Sequence, residues 1–108
     1  MLEKPVIREI AVKNLELLQE RLLKQNSYLE YDERLLDYLV YNGSDKSNGA
    51  RPIERFIKKK VTEPVAEILL DHPRQMVMIT SEIIGEAPTL FEAIDRRQIK
   101  FSIVTQNI

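Results

Sequence analysis

The sequence predicts an α+β domain of three main helices and a small three-stranded sheet. Three observations predict it. Apolar residues recur at three- and four-residue spacings between Pro5 and Gln25, and the same periodicity returns over a longer span after Pro52. Strand-like segments are confined to a short tyrosine-rich stretch near Tyr28 and to the region beyond Pro73. With 108 residues the chain has room for one modest core, so residues 1–108 are read as a single domain.

In the first helix, over residues 5–25, Ile7, Ala11, Leu15, Leu18 and Leu22 form one stripe, and Ile10, Leu17 and Leu23 widen it. The segment NSYLEY, residues 26–31, is short and bounded by turn-formers, which suits a single strand. Asp32 then offers an N-cap to a second helix over residues 33–41, whose buried positions are Leu35, Leu36, Leu39 and Val40. Residues 42–49, NGSDKSNG, hold two of the three glycines among small polar residues and predict a loop.

The third helix begins at Pro52, whose fixed φ suits a first turn, and ends before Pro73. It presents Ile53, Phe56, Ile57, Val61, Val65, Ile68 and Leu69 to the core. Pro64 lies inside this pattern and predicts a bend, because it deletes a backbone hydrogen bond. Beyond it, QMVMIT at residues 75–80 and QIKFSIV at 98–104 predict strands, with Ile99, Phe101 and Ile103 inward and Lys100 and Ser102 outward. Thr89 and Glu92 match a capping box and predict a short helix over residues 90–96.

Composition narrows the function classes. Sixteen Lys+Arg balance 17 Asp+Glu, so no global field draws the chain to nucleic acid or an anionic membrane. The absence of cysteine removes disulfides, thiolate zinc sites and cysteine nucleophiles, and with His72 as the single histidine no metal site is expected. Charges at Glu3, Lys4, Arg8 and Glu9 interrupt any signal-peptide core, and no apolar run reaches the length of a membrane span. No phosphate loop, H-E-x-x-H or G-x-S-x-G motif is present, so no catalytic residue is assigned. His72 is expected to sit at the end of the third helix, where the helix dipole favours a cation.

Two basic features remain. Lys58, Lys59 and Lys60 occupy consecutive helical positions and fan around the axis, which is the geometry of a solvated face. Arg51 stands where a helix repels positive charge, by roughly 0.3 to 1 kcal/mol, beside free amides that attract anions. Such a guanidinium makes either a phosphate clamp or a plain salt bridge, to Asp45 or Glu54; spacing alone favours the salt bridge.

The segment GARPIERFIKKKVTEPVAEILL, residues 49–70, closely resembles the glycine-alanine-arginine-proline segment in the C-terminal small domain of Clp-family AAA+ unfoldases and disaggregases, the ClpB, ClpC and ClpA group. Upstream, IAVKNLELLQERLLKQNSYLEYDERLLDYLVYNG resembles that domain's opening helix, first strand and second helix. The resemblance covers residues 6–70 and implies the small (lid) domain of the second AAA+ module, with residues 71–108 supplying terminal strands and an unusual connection. In that family the motif's arginine is the sensor-2 residue, reaching the γ-phosphate of ATP held by an adjoining large domain. The role falls on Arg51, with Gly49, Ala50 and Pro52 shaping the loop.

The resemblance further implies ATP, with Mg²⁺ carried by the nucleotide, as a cofactor bound mainly by the large domain. It implies neighbouring subunits of a homo-hexamer and protein substrates as partners, leaves a ClpP-type protease open, and points to the cytoplasm or an organelle stroma or matrix. Neither nucleic acid nor a membrane is expected. The chain departs from the family with Asn48 in place of an aromatic residue, DHPRQ where a glycine is usual, and a longer connection over residues 84–97. It is expected to be an excised small domain, with Met1 an added start, unable to hydrolyse ATP alone. Two rivals stand beside this reading: a freestanding adaptor with the same fold, and a nucleic-acid binder using Arg51, Arg55 and Lys58 to Lys60.

Overall fold

The computed structural model describes residues 4–43, 51–89 and 95–107. Helix α1 (Lys4–Leu23) is followed by strand β1 (Tyr28–Glu30) and helix α2 (Glu33–Gly43). Helix α3 (Arg51–Ile57), a π-helical turn (Lys58–Thr62) and helix α4 (Glu63–Asp71) run on without a break and make up the third helix of the sequence. Strands β2 (Gln75–Ile84) and β3 (Gln98–Asn107) complete the α+β fold.

The α1 stripe is the spine of the core: Ile7, Ala11, Leu15, Leu18 and Leu22 are all buried. Leu17 and Leu23, expected to widen it, are instead 56% and 55% exposed, because the partner elements cover only one side of the helix. The helix ends in a Schellman motif with Asn26 in the left-handed region at φ 56°. There the Ser27 N–H donates to the Leu22 carbonyl at 2.8 Å and the Asn26 N–H to that of Leu23 at 3.1 Å. Asp32 caps α2 as expected, its Oδ1 accepting from the N–H groups of Arg34 at 3.1 Å and Leu35 at 3.4 Å, a contact worth about 1 kcal/mol. That helix continues past Tyr41 to Gly43, so Asn42 and Gly43 belong to it, while the rest of the expected loop, residues 44–49, lies outside the described residues.

Pro64 is accommodated by the π-helical turn just before it. The Glu63 N–H reaches back five residues to the Lys58 carbonyl, and Pro64 falls in the first turn of α4, where its missing donor matters least. The turn also corrects the phase of the helix. Ile53, Ile57, Val61 and Val65 are each four residues apart, and in a straight α-helix of 3.6 residues per turn they would drift by about 40° per step. The extra residue taken up by the π turn brings all four to the core, where none is more than 2% exposed.

The sheet has order β1-β2-β3, with β1 parallel and β3 antiparallel to β2. Leu29, Val77, Ile79 and Ile83 face the helices and are buried, with Ile99 and Phe101 packed beside them. Ile103, expected inward, pairs with Ile79 yet remains 39% exposed, because β3 is the outer strand and extends past the helical cover. Both late strands are longer than their apolar patterns suggest, since paired backbone carries them through polar positions such as Ser81 and Thr105. The short helix expected over residues 90–96 falls largely outside the described residues, and Asp95 and Arg96 have no regular structure.

Candidate functional site

Arg51 is the first residue of α3 and Pro52 the second; Gly49 and Ala50 lie outside the described residues. Two packing contacts hold the first turns of this helix against α2. Gly43, at the end of α2, sits against Ile53 so closely that an added Cβ would lie 2.6 Å from the Ile53 Cβ and 2.7 Å from its Cα. Only glycine permits that approach. One turn further, the Phe56 ring meets the Tyr38 ring of α2 with centroids 5.6 Å apart and an interplanar angle of 56°. The backbone of Arg51 is therefore held two residues from a fully buried anchor.

Glu54, considered as a partner for Arg51, is exposed beside Arg21, Arg55 and Lys58 around one shallow hollow; Asp45 lies outside the described residues. The lysine run divides as consecutive helical positions require. Lys58 turns to that hollow, whereas Lys59 and Lys60 line another with Tyr38, Pro64 and Arg97, and Lys60 Nζ lies 6.0 Å over the Phe56 ring. His72 stands at the C-cap of α4, with its Nδ1 2.8 Å from the Ile68 carbonyl, so it serves the helix end. Among the described residues no group of acidic, histidine or cysteine side chains could hold a metal ion, and no helix is long and apolar enough to cross a membrane.

A polar cluster that the sequence reading did not assign joins the last turn of α2 beside the hollow that Lys59 and Lys60 line. The Asp95 side chain is 1% exposed and accepts from Arg97 Nη2 at 2.7 Å, from Arg97 Nε at 3.0 and 3.1 Å, and from the Arg97 backbone N–H at 2.9 Å. Asn42 Nδ2 donates to Asp95 Oδ2 at 2.7 Å and to the Tyr38 carbonyl at 3.0 Å. The Arg97 guanidinium stacks over the rings of Tyr38 and Tyr41, at 5.3 and 5.7 Å. The hydrogen bond from Arg97 outweighs burial and holds the Asp95 carboxyl down to about 2; the same bond raises Arg97. Burial, followed by the nearby Asp95 charge, raises the Tyr38 phenol. No signal in the sequence pointed to this cluster, since the helix expected over residues 90–96 would have turned Asp95 and Arg97 to different faces.

An α+β unit of three helices and a mixed three-stranded sheet is the architecture of the C-terminal small domain of a Clp-type AAA+ ATPase. The chain belongs to the family described as the C-terminal, D2-small domain, of ClpB protein, which it matches over residues 2–79. It is similar to the chaperone protein ClpB of Rickettsia conorii, at 42% identity over 64 residues, covering 59% of this chain and 8% of that protein. The ClpB of Malacoplasma penetrans is 36% identical over 80 residues, covering 74% of this chain and 11% of that protein. That of Mycoplasma pneumoniae is 34% identical over 71 residues, covering 66% and 10%. The chain thus spans about a tenth of the length of these relatives. Asp95, Arg97 and all of β3 lie beyond the matched segment.

Proposed function

We propose that this chain works as the nucleotide-responsive small domain of a Clp-type ATPase, with Arg51 as the sensor-2 residue contacting the terminal phosphate of Mg²⁺–ATP on an adjoining large domain. The observation that carries the reading is the placement of Arg51 at the start of α3, two residues from the Ile53–Gly43 anchor and inside the segment that matches the family. An arginine held there meets an oncoming phosphate together with the free amides of a helix start. The sequence carries no phosphate-loop motif, so the nucleotide and its Mg²⁺ would be held chiefly by the other domain.

The chain's own contribution is a charge-assisted contact made in the ATP state and lost with the γ-phosphate. Such a contact is worth about 1.5–3 kcal/mol, enough to shift the balance between two interdomain arrangements by roughly ten- to a hundredfold. In a hexamer the small domain would also pack on the neighbouring subunit's large domain, so each shift would be passed round the ring to drive remodelling of protein substrates. The description of the relatives as chaperones supports that outcome over service to a partner protease.

The test is ATP turnover and substrate processing by the ATPase carrying this domain, with Arg51→Ala and Arg51→Lys. Both variants are expected to lose activity, because lysine keeps the charge but not the paired planar donors. Wild-type behaviour in both would remove Arg51 from the mechanism.

A further inference from the structure

The geometry points to a latch: Asp95 and Arg97, from the long connection before β3, clamp the last turn of α2 and so act as positioning residues for the start of α3. The role assigned to that helix start rests on the reading of Arg51 above; the mechanical link does not. Each step is a direct contact or a chain bond. Asp95 accepts from Asn42 at 2.7 Å, Asn42 adjoins Gly43, Gly43 seats Ile53, and Ile53 lies two residues from Arg51. Arg97 braces the same turn from outside by stacking on Tyr38 and Tyr41, and Tyr38 in turn meets Phe56 in the first turns of the third helix.

Both ends of the link are made of stiff parts. The carboxylate is almost fully enclosed and bonded through both oxygens, so moving Asn42 away would leave a buried charge short of a partner. The Gly43–Ile53 approach leaves no room for even a methyl group, which would lie 2.6 Å from the Ile53 Cβ and 2.7 Å from its Cα and Cγ1. A shift at the end of α2 must therefore carry α3 with it or break the contact. Asn42, Gly43 and Ile53 lie within the family-matched segment and Asp95 and Arg97 outside it, so the connection adds an external brace to an element the family shares.

Amide hydrogen exchange on the full 108-residue chain tests the link. The reporting amides are those of Arg55 and Phe56, the first in α3 to bond back to the carbonyls of Arg51 and Pro52. Asn42→Ala, which leaves the ion pair intact, and Asp95→Asn are each expected to speed exchange there and at Tyr41 to Gly43 by about tenfold, while Leu15 and Leu18 stay within about twofold. Unchanged rates at Arg55 and Phe56, or an equal rise at Leu15 and Leu18, would overturn the proposal. Should Asp95→Asn fail to fold, Asn42→Ala alone decides. In the ATPase, Asn42→Ala is expected to lower ATP turnover in the wild-type background and to add nothing to Arg51→Ala; additive losses would overturn the coupling. A silent Arg51→Ala with faster exchange at Arg55 would leave the latch standing and remove the sensor reading, whereas the reverse result would remove the latch.

Discussion

Gln19 of α1 serves both backbone groups of Leu29 at once: its Nε2 donates to the Leu29 carbonyl at 2.7 Å, and its Oε1 accepts from the Leu29 N–H at 2.9 Å. Strand β1 is an edge with β2 on one side only, and the Gln19 amide stands where a further strand would have bonded. The Leu29 side chain is fully buried, so these backbone groups have little access to water. Gln19→Ala is expected to destabilise the domain by about 1–3 kcal/mol, the cost of leaving enclosed polar groups unpaired. Gln19→Glu should lose most of that as well at neutral pH, since a carboxylate cannot donate to the carbonyl. Urea unfolding of the two variants measures this, and stability within 0.5 kcal/mol of wild type, roughly the scatter of a neutral surface change, would show the clamp to be incidental.

At Gly43, the same logic of close approach applies to carbon. Alanine would gain roughly 0.5–1 kcal/mol in helix propensity. Its methyl group would nevertheless overlap Ile53 backbone and side chain, and overpacking typically costs 1–3 kcal/mol, so the variant is expected to be less stable by about 1 kcal/mol. Because the clash sits beside Arg51, Gly43→Ala should also impair ATP turnover in the ATPase more than its small stability loss explains. Thermal unfolding together with turnover separates the two effects.

Much of the fold could be read from local pattern, and the site only in part. The α1 stripe and the Asp32 cap depend on spacings of three or four residues, which helical geometry converts directly into contacts. Leu17 and Leu23 stay exposed despite the pattern because periodicity says which residues share a face but not how much of it neighbours cover. The π turn had a signal in the unbroken four-residue steps from Ile53 to Val65, with Pro64 just after, though a bend was the simpler expectation. The links from Gln19 to Leu29 and from Asn42 to Asp95 join residues 10 and 53 positions apart, and no local rule anticipates such pairs.

Arg74 holds a backbone conformation that residues with a side chain rarely adopt. It adopts φ 60° in the turn between α4 and β2, the left-handed region where a glycine is usual. A side chain there costs roughly 1–2 kcal/mol, while glycine returns about 0.5–1 of that by enlarging the unfolded ensemble. Arg74→Gly is therefore expected to stabilise the domain by about 0.5–1 kcal/mol without altering the strands. Lower stability on chemical unfolding would mean that the arginine side chain contributes more than its backbone strain removes.

Asp95 makes the domain sensitive to acid in a defined window. Its carboxyl is held near 2 in the folded chain against an ordinary 3.8, chiefly by the Arg97 hydrogen bond. Between those values the unfolded chain binds the proton more readily, so lowering the pH through that window favours unfolding. The contribution is complete above about pH 5, declines as the pH falls from 4 towards 2, and amounts to about 2 kcal/mol. Other carboxylates titrate over the same range, so the measurement is a difference: wild type and Asp95→Asn unfolded in urea at a series of pH values. The gap between them is expected to be widest near neutrality and to narrow by about 2 kcal/mol as the pH reaches 2. A gap that does not change with pH would mean that the Asp95–Arg97 pair is no more favourable when folded than in the unfolded chain.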